Sequence, residues 1–405
     1  MVDASQSDTV QFNVGQFDAK KFNANWNYPT NIRQGLGKIA KLSDYCKELG
    51  VKAPLIVTDP GLVNLPMIAD AQESCIEHGL NCGVFSGVTS NPTDDNVNQG
   101  VVTYKKGGHD GVIAFGGGSA IDAAKAIALM VGQTGTLWNY EDAGSNWREI
   151  NGDTMAPVIA VPTTSGTGSE VGRASVITDP ANHVKRIIFH PNMMPALVIL
   201  DAELTVGLPS HLTAATGMDA FSHALEAYCA NYYHPMAEGI AIEAIRLIKL
   251  YLPRATANGD DLEARAQVMV ASSMGATAFQ RGLGGMHAIA HSLGAIYNSH
   301  HGLLNAILMP YVLRANRTAI EERIERLARY LELREQTFDG FLNWVLELRK
   351  KLGIPHSLKE IEIDDTQAEL IGEMATKDAT SGGNPIQFSQ TQYSEIFISA
   401  VHGQL

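Results

Sequence analysis

Four of the chain's thirteen histidines fall within residues 284–302, GGMHAIAHSLGAIYNSHHG. His287 and His291 are four apart, so on a helix both leave from one face. His300 and His301 lie beyond Gly294, just before another glycine. Upstream, ATGMDAFSHALEAY repeats the four-residue spacing with Asp219 and His223. One carboxylate and three imidazoles (Asp219, His223, His287, His301) make a donor set suited to zinc or iron, with a coordination position left open. Taken alone, Asp219 and His223 read equally as an ion pair on a helix, and His291 as a satisfied core histidine. Two such pairs on otherwise apolar faces, followed by a histidine at a glycine turn, favour a metal.

Such a set needs rigid elements to hold it. A chain of 405 residues is long enough for two or three domains. Up to about residue 205, short apolar runs alternate with helix-like stretches. APLIVTDPG, NCGVFSGV, DGVIAFGGGS, APVIAVPTTSG and ALVILDAEL each read as a buried strand ending in turn residues. Alternation with segments such as AIDAAKAIALMVG predicts a parallel sheet covered by helices. After LPSHLTAAT the rhythm changes. AEGIAIEAIRLIKLYLP, DLEARAQVMVASSMGATAF, AIEERIERLARYLEL and FDGFLNWVLELRKKLG carry the 3.6-residue period of helices. The expected domains are 1–207 (α/β) and 208–405 (all helical), packed closely with a ligand cleft between them.

GVIAFGGGSAIDAAKAIAL sets Gly116, Gly117, Gly118 and Ser119 between a strand and a helix. Glycines there admit a ligand close to the backbone, and the helix N-terminus offers free N–H groups to a phosphate. The pattern matches neither standard nucleotide fingerprint, so alone it reads as a phosphate turn or simply a tight turn. The next strand ends in VPTTSGTGSEV, with hydroxyls on Thr163, Thr164, Ser165, Thr167 and Ser169. Two polar, glycine-bearing turns at successive strand ends favour one extended-phosphate site. Asp59, in VTDPG, closes another strand, as a turn residue or as an acceptor for a ribose diol.

The formal charge of −13 weighs against nucleic acid or an anionic membrane as partner, since both demand a basic surface. Hydrophobic content of 45% with 18% charged residues is that of a globular chain. Cys46, Cys75, Cys82 and Cys229 lack metal-type spacing and read as reduced thiols. The start, MVDASQSDTVQFNVG, lacks a signal-peptide pattern, and no apolar run reaches about eighteen residues. A cytoplasmic protein is expected.

With these motifs in place, the chain resembles the iron-containing (group III) alcohol dehydrogenases over nearly its full length. The resemblance rests on GGGSAIDAAK, PTTSGTGSEV, LTAATGMDAFSHALEAY, GLGGMHAIAHSLGA and HHGLLNAILMP, in the family's order. It implies a Rossmann-like dinucleotide-binding α/β domain, an all-α C-terminal domain, a dehydroquinate-synthase-like architecture and a metal in the cleft. Carried over by position, Asp219, His223, His287 and His301 would be the ligands, and His291 a catalytic neighbour of the nicotinamide. Gly117, Gly118 and Ser119 would hold the pyrophosphate, with Asp122 in the same motif. Thr163, Thr164 and Thr167 would form a second nucleotide loop, and Asp59, Asn91 and Lys185 would contact the cofactor. His300 receives no role.

The implied activity is reversible hydride transfer between an alcohol and its aldehyde or ketone, linked to NAD and a divalent metal. Fe2+ is expected ahead of Zn2+, and a homo-oligomer (dimer or higher) ahead of a monomer. Asp59 favours NAD over NADP, because its charge repels a 2′-phosphate. The alternative within the same fold is a hydroxyacid–oxoacid transhydrogenase, which regenerates its cofactor with a second substrate. A dehydroquinate-synthase-like lyase would need more Lys and Arg near the metal motifs, and a non-catalytic sensor would keep the sites without turnover. Two positions depart from the family pattern near the expected substrate pocket. Ser292 stands where many members carry proline, and Arg281 where small residues are common. Arg281 reads as a surface arginine beside a helix start, or as a hold for the anionic end of a hydroxy acid or semialdehyde.

Overall fold

Runs of apolar residues ending at turns become the strands of one parallel sheet. The computed structural model describes residues 30–405 apart from His183; the N-terminal start and the opening of the expected 1–207 domain lie outside the described residues. The strands are β1 (Ile32–Gln34), β2 (Pro54–Val57), β3 (Gly83–Phe85), β4 (Gly111–Gly116), β5 (Val158–Pro162), β6 (Ala174–Asp179), β7 (Val184–Phe189) and β8 (Leu197–Leu200). Six of them form a sheet in the order β1-β8-β5-β4-β2-β3, every neighbouring pair parallel. β6 and β7 make a separate antiparallel hairpin.

Helices α1 (Leu42–Glu48), α2 (Pro66–Glu77), α3 (Asp94–Gly107) and α4 (Gly118–Met130) cover the sheet. Successive strand side chains point to opposite faces. Leu55, Val57, Val112 and Ala114 pack with Ile121 and Ile127 of α4. Ile56, Ile113 and Phe115 pack with Leu42 of α1 and Ile68 of α2. Burial on both faces is why β2, β4, β5 and β8 read as unbroken apolar runs. Because the chain turns back across β2 between β3 and β4, the strand order reverses there. The crevice this leaves at the carboxyl ends is where open α/β sheets bind ligands.

The rest is helical: α5 (Ser210–Cys229), α6 (Pro235–Ala257), α7 (Leu262–Ala278), α8 (Gly285–Tyr297), α9 (His301–Ala315), α10 (Arg317–Tyr330), α11 (Phe338–Lys351), α12 (Ala368–Lys377) and α13 (Gln390–His402). Their apolar faces share one core that runs from Ala214 to Val401. Met269 of α7 packs on Ala160, Val198 and Leu200 of the sheet, so the two halves meet in a packed contact. Among the described residues no helix is long and apolar enough to cross a membrane. All four cysteines are free and buried.

Candidate metal and dinucleotide site

α5 carries Asp219, His223 and Glu226 at spacings of four and three, which places them along one face. α8 supplies His287 and His291, and α9 begins at His301. Gly302 lets α9 start against α5: a Cβ there would lie 2.5 Å from the Ala215 carbonyl oxygen and 3.0 Å from the Asp219 Cβ. The result is convergence. One ligand atom each from Asp219, His223 and His287 lies within 4.8 Å of the others, all three residues being buried. His301 Nε2 is 3.7 Å from Asp219 Oδ1. The Asn305 amide nitrogen reaches Asp219 Oδ1 at 2.9 Å, His287 Nε2 at 3.2 Å and His301 Nε2 at 3.1 Å, so three acceptors face one place. Buried lone pairs that converge in this way fit a divalent cation.

Electrostatics keep Asp219, His223 and His301 deprotonated. Burial pushes the Asp219 carboxyl up, but His223, His301 and His287 more than offset it and hold it at about 2. Burial lowers His223 to about 4 and takes His301 well below its ordinary value. Metal ligands must be deprotonated, so these directions favour uptake at neutral pH.

Three supporting residues went unread in the sequence. Glu226 Oε2 accepts from His287 Nδ1 at 2.6 Å and from the Gly284 N–H at 2.8 Å, and Oε1 accepts from the Met286 N–H at 2.7 Å. It therefore caps α8, fixes the imidazole and leaves Nε2 as the nitrogen facing the site. Its signal was local: Glu226 lies one turn beyond His223. Asn305 also had one, as a polar residue four past His301 in an apolar run. Asp378, whose Oδ2 lies 3.0 Å from His291 Nδ1, is 87 residues away in sequence and had none. Glu226→Gln should fold yet bind metal about 10- to 100-fold more weakly. Chelator competition checks this, and unchanged affinity would reduce Glu226 to a helix cap.

Apart from Lys185, which lies on β7, the residues read as nucleotide contacts gather along the carboxyl edge of β2–β5. Gly117 is the N-cap of α4 and makes no side-chain capping bond, so the first N–H groups of that helix face outward. A Cβ on Gly118 would lie 2.6 Å from Thr167 Oγ1, and one on Gly117 would lie 3.4 Å from Thr164 Oγ1. The Thr163 N–H donates to the Gly116 carbonyl at 3.0 Å. Ser119 donates to the Ser90 carbonyl, and Asn91 to Asn298 at the end of α8. Asp59 Oδ1 accepts from the Gly61 and Leu62 N–H groups at 2.8 and 3.1 Å. Its Oδ2 faces Gly116, 3.6 Å from where a Cβ would stand. Lys185 reaches α8, with Nζ 3.9 Å from a Cβ at Gly294, and burial lowers its pKa.

The second loop also ties the sheet edge to the helical half. Ser272 of α7 donates to the Gly166 carbonyl at 3.1 Å, and Ser273 donates to buried Glu170 at 2.6 Å.

Two expectations are corrected, those for Asp122 and Arg281. Both Asp122 oxygens are engaged by the protein itself: Oδ1 by the Ser169 hydroxyl and by Lys125 at 3.3 Å, Oδ2 by the Val176 N–H at 2.9 Å. Asp122 holds the second loop and the hairpin in place instead of reaching for cofactor. Ser292 is buried inside α8 and donates back to the Ala288 carbonyl at 2.9 Å. Arg281 is neither a surface arginine nor free to meet an anion, being 4% exposed. It donates to the Tyr232 and Tyr228 carbonyls at 2.7 and 2.9 Å and pairs with Glu238 at 3.0 Å. Charged buried bonds of this kind are worth about 1.5–3 kcal/mol each. Arg281→Ala should therefore cost about 3 kcal/mol in denaturant unfolding and leave kcat/KM equally affected for carboxylated and neutral alcohols. A selective rise in KM for carboxylated substrates would restore the anion-binding idea.

A glycine-bearing sheet edge beside a carboxylate–imidazole pocket fits a metal-dependent, dinucleotide-linked oxidoreductase. The chain belongs to the iron-containing alcohol dehydrogenase family. Residues 29–202 match the family described as iron-containing alcohol dehydrogenase, and residues 213–401 match the C-terminal family of Fe-containing alcohol dehydrogenases. It is 37% identical to a 4-hydroxybutyrate dehydrogenase of Cupriavidus necator, across 90% of this chain and 97% of that one. It is 36% identical to an NAD-dependent methanol dehydrogenase of Bacillus methanolicus, across 87% and 93%. Among solved structures, an alcohol dehydrogenase from Oenococcus oeni superposes with a TM-score of 0.87 at 33% identity, covering 93% of this chain and all of that one. The activity is NAD-linked oxidoreduction of a small-molecule alcohol.

Proposed function

We propose that Asp219, His223, His287 and His301 hold one divalent cation, Fe2+ ahead of Zn2+. In the same reading, NAD lies along the sheet edge. Its pyrophosphate rests on Gly117, Gly118 and Ser119, its adenosine ribose on Asp59, and Thr163, Thr164, Thr167, Asn91 and Lys185 line the remainder. The observation that carries this is the buried convergence of Asp219, His223 and His287, with Gly166 of the second nucleotide loop packed against α5, where a Cβ would lie 2.9 Å from the Thr216 carbonyl oxygen. When bound, the cation supplies Lewis-acid stabilisation of charge on the substrate oxygen, and NAD accepts or returns the hydride. His291 Nε2 takes up the hydroxyl proton during oxidation and returns it during reduction. Packing between the halves excludes water and strengthens both effects.

The substrates are short primary alcohols and their aldehydes, a range supported by relatives named for 4-hydroxybutyrate, methanol and 1,3-propanediol. The working form is a cytoplasmic homo-oligomer, dimer or higher, with 1–207 and 208–405 as its domains. A panel of short alcohols assayed by NADH absorbance tests the activity. His291→Ala should keep its metal and lose about 100-fold or more in kcat. Metal loss matching that of a ligand variant would mean that His291 binds the cation instead.

A further inference from the structure

We infer that Asp378 is a positioning residue for His291, fixing which imidazole nitrogen carries the proton. This rests on the reading that His291 takes part in turnover. Asp378 Oδ2 lies 3.0 Å from His291 Nδ1, with the two side chains 20% and 26% exposed. The aspartate is itself immobilised. It is the N-cap of the 3₁₀ turn Ala379–Gly383, and its Oδ1 accepts from the Thr380 N–H at 2.8 Å and from the Thr380 hydroxyl at 2.5 Å. Its backbone carbonyl accepts from the Ser381 hydroxyl at 2.8 Å. Bonds from His291 and Thr380 outweigh burial and keep the carboxyl below its ordinary pKa, hence ionised.

The imidazole is thus held in two ways. Its plane stacks on His301, with centroids 5.2 Å apart and planes 16° from parallel. Rotation within that plane is set by Asp378. An ionised carboxylate can only accept, so the neutral ring carries its proton on Nδ1 and shows a lone pair at Nε2. A ring released from Asp378 could turn over or shift its proton to Nε2, where it would lose the acceptor that proton uptake needs.

Thr380 makes the test selective. In Asp378→Asn, its two donors claim the amide oxygen, so the NH2 group faces His291 Nδ1 and forces the proton onto Nε2. Metal content and thermal midpoint should stay at wild-type values, KM for NAD should hold, and kcat should fall about 100-fold, the upper range for such orienting partners. The same substitution in a His291→Ala background should cost nothing further. Asp378→Ser keeps an N-cap for the turn but cannot reach His291, and guards against a folding defect in the Asn variant. It should give the same pattern with about a tenfold loss, the lower end of that range. An equal loss with and without His291, or a single-variant kcat within about twofold of wild type, would overturn the inference, because either falls outside an orienting role. A His291→Ala enzyme with wild-type turnover would be a separate failure, removing the reading of His291 and leaving nothing for Asp378 to position.

Discussion

His287→Ala purifies without stoichiometric metal and without alcohol-dependent reduction of NAD. His287 is 1% exposed, its Nδ1 is bound by Glu226 at 2.6 Å, and its Nε2 faces the point shared with Asp219 and His301. Removing the ring takes away one donor and leaves Glu226 with only the Gly284 and Met286 N–H groups. Losing several kcal/mol of Lewis-acid stabilisation lowers kcat/KM by roughly a thousandfold. Elemental analysis and the NADH assay should fall together. Full metal occupancy in this variant would sink the ligand assignment, whatever its activity.

Asp59→Asn is the second large effect. The structure gives Asp59 two tasks, because Oδ1 holds the turn through Gly61 and Leu62 while Oδ2 faces the glycine turn. Asparagine keeps an acceptor for the turn and removes the charge. A 2′-phosphate brings about two negative charges against that carboxylate. Relief of about 3 kcal/mol of repulsion and desolvation corresponds to more than a hundredfold in affinity. The ratio of kcat/KM for NADP over NAD should therefore rise about 100-fold, mainly through NADP. Equal loss with both cofactors would reduce Asp59 to a turn residue, and a wild-type preference for NADP would remove it as the ribose reader.

What the sequence made legible followed physical locality. β2, β4, β5 and β8 stood out because both faces of the sheet are buried, and the helical half because its apolar period is 3.6 residues. β1 was hidden: IRQ is three residues long, mostly exposed, at a sheet edge. The β6–β7 hairpin alternates buried and half-buried positions in ASVITD, and that weak two-residue period was overlooked. Ligand candidates with neighbours one turn away could be seen from spacing alone, and Glu226 and Asn305 carried the same signal unread. Asp378 could not be seen, since only the fold brings the 3₁₀ turn before α13 against α8. Arg281 misled for the opposite reason. Its motif position lies near the site, but its guanidinium turns inward to the end of α5 and the start of α6, where Tyr228, Tyr232 and Glu238 use every contact it makes.

The central claim is that one metal-bearing site, built by Asp219, His223, His287 and His301 beside an NAD-binding edge, carries the activity. Its most direct test is titration of metal-stripped protein with Fe2+, and separately Zn2+, under anoxic conditions. Bound metal and NADH formed from a short primary alcohol are measured in the same samples. The account predicts no turnover in the stripped protein and activity that rises in proportion to bound metal, with a break at one ion per chain. Full turnover in verified metal-free protein, or activity that rises with metal while His287→Ala follows the same curve, would contradict it.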